Sequence, residues 1–236
     1  MLPVIRSPYH RRVAGTIYLG GGGDASDEAP LWRAMLRDKR RVLYWPFALP
    51  REQTSSAEGW LTTSLRQLQI DVHLETWRNL DGRDPDSLAW ADLLFVGGGN
   101  AFDLLDHVRR HRFEQVVRDF VAAGGDFYGG SAGAIFACSD IRIAGEYDAN
   151  LLGLTDLAAL GLLQHRVVLP HYDEHHLAAA QRWSMEYGCP VLGIPERSGV
   201  AVRGGHAEVI GGTEVFEVYG SNITPRRPGD NWSITV

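Results

Sequence analysis

Asp126-Phe127-Tyr128-Gly129-Gly130-Ser131-Ala132-Gly133-Ala134-Ile135 is the stretch whose reading decides the fold. An aromatic run enters it and small residues leave it. Ser131 stands between Gly129 and Gly133, the G-x-S-x-G spacing of a nucleophile elbow. A serine held in a sharp strand-to-helix turn leaves no room for side chains two residues to either side. Glycine removes that clash and tolerates the strained backbone. The helix that follows then aims free N–H groups at any oxyanion formed on Ser131. A glycine-rich turn with an incidental serine would have the same composition, so the flanking sequence must decide between the two.

Upstream, Leu105, Val108, Phe113, Val116, Val117, Phe120 and Val121 recur at three- and four-residue steps, which predicts one long amphipathic helix over 101–123. Gly124-Gly125 ends it and 126–130 reads as a strand. The elbow thus falls at the C-terminal end of a strand in a βα alternation, where α/β sheets bind ligands. Earlier strands are predicted over 13–19, 41–46, 71–77 and 91–96, with a helix over 27–38. A second helix carries Leu61, Leu65 and Leu68 and opens with a Ser55-x-x-Glu58 capping box. Gly20-Gly21-Gly22-Gly23 follows the first strand but lacks the lysine and the spacing of phosphate loops, so it reads as a turn beside a pocket.

Downstream, a helix over 132–138 and a short strand over 141–143 are expected. A strand over 166–170 delivers His171, a helix over 174–187 ends before Gly188, and a strand over 191–194 reaches Pro195-Glu196. Short strands at 199–202, 207–210 and 215–218, separated by glycine pairs, predict a C-terminal antiparallel β meander. Residues 225–236 carry no assignment.

Composition narrows the function. The 236 residues are 44% hydrophobic, enough for a sizeable core, and one α/β domain over 1–236 is the simplest reading. A net charge of −6 argues against nucleic acid and anionic membranes as partners. Cys138 and Cys189 are isolated, with neither a disulfide framework nor metal spacing, which fits a cytoplasmic protein. The basic start, 1–12, has no apolar core of a signal peptide, and no apolar run is long enough to span a membrane.

A serine hydroxyl is a weak nucleophile until a base takes its proton, and the base needs an orienting partner. Of nine histidines, His171 follows a buried-type strand and Pro170, at the strand end on the Ser131 side. It is the candidate base. Gly97-Gly98-Gly99-Asn100 follows the strand expected beside that of Ser131. Its bare backbone, Gly98 and Gly99 above all, suits an oxyanion or substrate carbonyl together with Ala132. Asn100 is equally placed to cap the next helix.

Taken in order, Val96-Gly97-Gly98-Gly99-Asn100, Gly130-Ser131-Ala132-Gly133-Ala134, Pro170-His171-Tyr172-Asp173 and Gly193-Ile194-Pro195-Glu196 resemble the blocks of the dipeptidase E and cyanophycinase family of serine peptidases. The resemblance covers about 16–220. It implies a flavodoxin-like, class I glutamine-amidotransferase-like α/β fold: a mostly parallel sheet with helices on both faces. It also implies hydrolysis of short peptides, no metal or other cofactor, and a homodimer.

By the family's spacing the acid falls on Glu146, where aspartyl dipeptidases carry Asp. The segment after His171 does not match those enzymes clearly, which leaves specificity for aspartate open. Asp173, two residues after His171, is the alternative acid, because i and i+2 share a strand face. Glu196, after a strand end, ranks third. Beside a serine peptidase with a Ser131-His171-Glu146 triad stands a second class, a non-catalytic or amidotransferase-like domain whose glycine loops hold a small ligand.

Overall fold

The computed structural model describes residues 14–234. The expectation for 1–12, the first residue of the strand expected at 13–19 and the end of the unassigned tail lie outside the described residues. The first half of the chain alternates strand and helix. β1 (Ile17–Gly20), α1 (Ala29–Leu36), β2 (Arg41–Trp45), α2 (Thr54–Gln67), β3 (His73–Thr76) and β4 (Leu93–Val96) follow in turn. Then come α3 (Ala101–Arg110), α4 (Glu114–Ala122), β5 (Asp126–Gly130) and α5 (Ala132–Phe136). β1 through β5 form a parallel block in the order β3-β2-β4-β5-β1.

Strands paired this way are buried on both faces, and their side chains alternate between two cores. Leu19, Leu43, Trp45, Leu94, Val96 and Phe127 point to one core, which α3, α4 and α5 cover. Tyr18, Val42, Tyr44, Leu93, Phe95 and Tyr128 point to the other, under α1 and α2. β1, β2 and β4 therefore read as apolar runs, which is why they were visible in the sequence, while the edge strand β3 is exposed to half-buried and mixes polar with apolar residues.

The second half adds β6 (Val167–Leu169), α6 (Leu177–Tyr187), β7 (Val191–Gly193), β8 (Ser198–Arg203), β9 (His206–Gly211), β10 (Val215–Tyr219), β11 (Asn222–Arg226) and β12 (Asn231–Ser233). Here the expected meander divides. β8, β9 and β12 extend the large sheet antiparallel from β1, while β10 and β11 join β7 and β6 in a separate four-stranded sheet. β6 and β7 are parallel neighbours in that small sheet, with Leu169 opposite Gly193.

Three local expectations are corrected. The long helix breaks at Arg112, whose φ is 59°. The break turns Phe113 inward against Trp45 and Trp77, at ring distances of 5.9 and 6.3 Å. The 141–143 strand is instead a 3₁₀ turn, Arg142–Glu146, and only Asp140 makes a β-bridge there, to Ala158. Ser55 and Glu58 form no capping box: a 3₁₀ turn over Arg51–Gln53 starts α2 early, so both residues lie past the N-terminus, and Glu58 pairs with Arg78.

Candidate active site

Ser131 ends β5 at the centre of the large sheet, with β4 on one side and β1 on the other. Its φ of 50° and ψ of −112° lie outside the regions open to ordinary residues. The turn is tight enough that a Cβ on Gly129 would fall on the backbone of Gly133, and one on Gly133 would fall on the carbonyl of Val96. The G-x-S-x-G spacing is thus a packing requirement between β4, β5 and α5.

His171 comes from the small sheet, two residues past β6. Its Nε2 is 2.8 Å from Ser131 Oγ. On the far side of the ring, Nδ1 is 2.9 Å from Oε1 of Glu196, three residues past β7. Because β6 and β7 run parallel with Leu169 opposite Gly193, the two loops leave the sheet side by side, and this register brings the carboxylate to the imidazole. His171 itself adopts φ 50°.

The other two carboxylates go elsewhere. Glu146 is exposed at the end of its 3₁₀ turn and makes no hydrogen bond to His171 among the described residues. Replacing the expected strand by a turn carries it away, and its neighbour Tyr147 faces the imidazole instead, with ring centroids 6.0 Å apart. The Tyr147 hydroxyl donates to the Pro170 carbonyl at 2.6 Å, bracing the loop that carries His171. Asp173 caps the turn after His171, accepting from the His175 N–H and pairing with His176 Nδ1, both at 2.8 Å. Asp148 accepts from the Ala101 N–H at 2.8 Å, and burial raises its carboxyl above the usual range.

The glycine loops are distinct in their roles. Gly98 lies against Ser131: a Cβ there would be 3.2 Å from Ser131 Cβ. Gly99, at φ 133°, packs on the Ala48 carbonyl instead. Asn100 is the cap of α3, accepting from Phe102 and Asp103, and its amide also donates to Ala149. Ala132 is buried as the first residue of α5.

The 20–23 loop proves to be a joint. The Ser131 N–H donates to the Gly20 carbonyl at 3.4 Å and the His171 N–H donates to the Gly21 carbonyl at 2.8 Å, so one loop tethers Ser131 and His171. A Cβ on Gly22 would strike the His171 ring. The loop is fixed from behind by Glu28, which sequence reasoning missed. Its Oε1 accepts from the Gly22 N–H at 2.9 Å. Its Oε2 accepts from Tyr128 at 2.6 Å and from the Trp32 indole at 3.1 Å. Burial pushes this carboxyl up to about 7 despite those donors. A glutamate five residues after a glycine run offered no signal of this role.

Among the described residues, no group of three or more His, Cys, Asp or Glu side chains is placed to hold a metal ion, and no helix is long and apolar enough to cross a membrane. Burial pushes the Cys138 thiol up to about 12, which leaves it inert.

A strained serine at the end of a central strand, bonded to a histidine that is bonded in turn to a carboxylate, defines the class of α/β serine hydrolases. The model of peptidase family S51 matches residues 16–210, and the chain belongs to that family as a serine-type peptidase. Peptidase E of Shewanella amazonensis is 31% identical over 202 residues, covering 75% of this chain and 83% of that protein. Peptidase E of Salmonella paratyphi A is 32% identical over 197 residues, covering 80% and 84%. In fold, the chain resembles a crystal structure of a peptidase from an acI-B1 Actinobacterium, with a TM-score of 0.72, 17% identity and coverage of 95% and 99%. It also resembles that of a putative peptidase E protein from Listeria monocytogenes EGD-e, with a TM-score of 0.65, 21% identity and coverage of 91% and 98%.

Proposed function

We propose that the chain hydrolyses short peptides, as a dipeptidase or exopeptidase, through an acyl-enzyme formed on Ser131, with His171 as base and Glu196 as the orienting acid. The observation that carries this is the continuous path from Ser131 Oγ through the two ring nitrogens of His171 to Glu196, at 2.8 and 2.9 Å.

In the acylation step His171 Nε2 takes the hydroxyl proton as Oγ attacks the peptide carbonyl. Glu196 accepts the Nδ1–H bond, fixing the tautomer that leaves Nε2 free to accept and stabilising the imidazolium that forms. The Ala132 N–H, at the start of α5, and the backbone N–H of Gly98 are the donors for the oxyanion. The imidazolium then gives its proton to the leaving amine. Water repeats the sequence on the ester, with the proton passing again through His171, and frees the acid and Ser131. Every step uses a group of this chain, and the reading carries with it the cytoplasmic homodimer that the family resemblance implies.

The test is labelling. A fluorophosphonate should attach one equivalent to Ser131, located by peptide mass spectrometry, and peptide hydrolysis should fall in proportion. Ser131→Ala should take no label and lose activity by several orders of magnitude with its circular dichroism unchanged. An unlabelled serine in a protein that still hydrolyses peptides would refute the reading.

A further inference from the structure

Beside Ser131 opens a cavity of about 400 Å³. Its walls are Trp32, Tyr44, Leu49, Ala57, Trp60 and Tyr128, and Gly98 and Ser131 form its inner end. No lysine, arginine or carboxylate lines it among the described residues. Behind the Trp32 and Tyr128 wall lies Glu28, which hydrogen-bonds to both. A carboxylate ligand would meet no cation among the residues lining this cavity, and an acid stands behind its wall. The Trp32 and Trp60 rings meet edge to face at 6.0 Å, and Trp60, 46% exposed, stands at the mouth.

The cavity also has a direction. His171 does not line it. The leaving amine must sit where the imidazolium can protonate it, so the leaving residue lies on the His171 side. The residue whose carbonyl is attacked keeps its own side chain one bond away from that carbonyl. With the carbonyl between Ser131 and Gly98, that side chain enters the cavity.

We propose that this cavity is the specificity pocket for the acyl residue, and that it selects peptides whose residue on the amino side of the scissile bond carries a large apolar side chain, aromatic, Leu or Met, over an acidic one. The inference rests on the Ser131 reading above and adds the substrate class. A single methylene in an apolar site is worth about 10–200-fold. A whole apolar side chain set against a carboxylate without a cation should differ by about 100-fold or more.

The experiment compares kcat/KM of the full chain for Phe-Gly, Leu-Gly, Met-Gly, Asp-Gly and Gly-Phe, with fluorophosphonate labelling of Ser131 in parallel. Phe-Gly, Leu-Gly and Met-Gly should exceed both Asp-Gly and Gly-Phe by about 100-fold or more. Two variants probe the pocket. Ala57→Leu narrows it and should cut Phe-Gly hydrolysis at least about tenfold. Ser56→Arg, at the exposed rim, places a cation there and should shrink the gap to Asp-Gly by about tenfold; being on the surface, it remains informative if Ala57→Leu misfolds. Ser131-dependent hydrolysis that favours Asp-Gly or Gly-Phe would overturn the pocket assignment and leave the nucleophile standing. If Ser131 takes no label and no peptide is cleaved, the proposed function fails and this inference fails with it.

Discussion

Ser131 and His171, the proposed nucleophile and base, come from two differently built regions. Ser131 sits on the middle strand of the large sheet, with a parallel neighbour on each side and a buried core on each face. His171 and Glu196 hang from the ends of β6 and β7, three residues each, in the small sheet. The side chains of His171 and Glu196 are 34% and 56% exposed. Under the proposed mechanism the rigid half supplies position and the looser half supplies proton chemistry. What joins them is the 20–23 loop, tied to Ser131 through Gly20, to His171 through Gly21 and to Glu28 through Gly22.

The largest effect expected lies in the looser half. Glu196→Gln keeps the shape but lets the imidazole take the wrong tautomer, a change that costs on the order of 10⁴ in kcat in other triads. Glu146→Gln and Asp173→Asn, measured on the same peptide, should stay within about tenfold of wild type, the scale of surface changes away from the reacting atoms. If Glu146→Gln is the crippled variant, the acid belongs to the turn after α5 and the division drawn above is wrong.

The joint should show itself in pH dependence. With its carboxyl raised from 4.5 to about 7, Glu28 keeps its proton in the folded protein over a range where the unfolded chain has lost it. The folded state then binds more protons between those values, so stability falls as pH rises from about 4.5 to 7 and is level above. The shift corresponds to about 3 kcal/mol. Denaturant unfolding at pH 5 and pH 8 should register most of that difference in wild type, and Glu28→Gln should flatten it. An unchanged slope in the variant would place the titrating group elsewhere.

The third effect is smaller. Gly22→Ala would push a methyl into the His171 ring at a backbone position with φ 93°. A displacement of about 1 Å at the base should lower kcat about 100-fold. Labelling of Ser131 should slow with it, because the base that activates the hydroxyl is the part displaced. A variant with wild-type kcat would show the two halves to be coupled less tightly than the loop suggests.

How much of this was legible follows the same division. The inner strands of the parallel block announced themselves because they are buried on both faces, β1, β2 and β4 as apolar runs, while edge strand β3 was read from its alternation. The elbow announced itself because its glycines answer to backbone contacts within and between neighbouring elements. His171 was singled out as the candidate base from the strand that delivers it, and the structure places it beside Ser131. The partner of His171 depends on pairing between β6 and β7, which are separated in sequence by all of α6, and no local pattern reports such a pairing. The strand before Glu196 was readable; its place beside β6 was not. The C-terminal antiparallel strands at β8, β9 and β10 were likewise readable, but not the sheet that each one joins. Glu28 and the walls of the cavity were hidden because they gather from α1, α2, β2 and β5, with nothing in their spacing to connect them.

Trp60 has one more consequence. The protein has seven tryptophans, and the other six are buried or half-buried. Trp60 is the most exposed of them, and it stands at the mouth of the cavity. A ligand entering there strips water from that indole and packs against Trp32, which is already buried. The chain therefore carries its own optical reporter: a blue shift in its intrinsic fluorescence would register occupancy of the cavity directly, in the Ser131→Ala protein as well, with no bond broken.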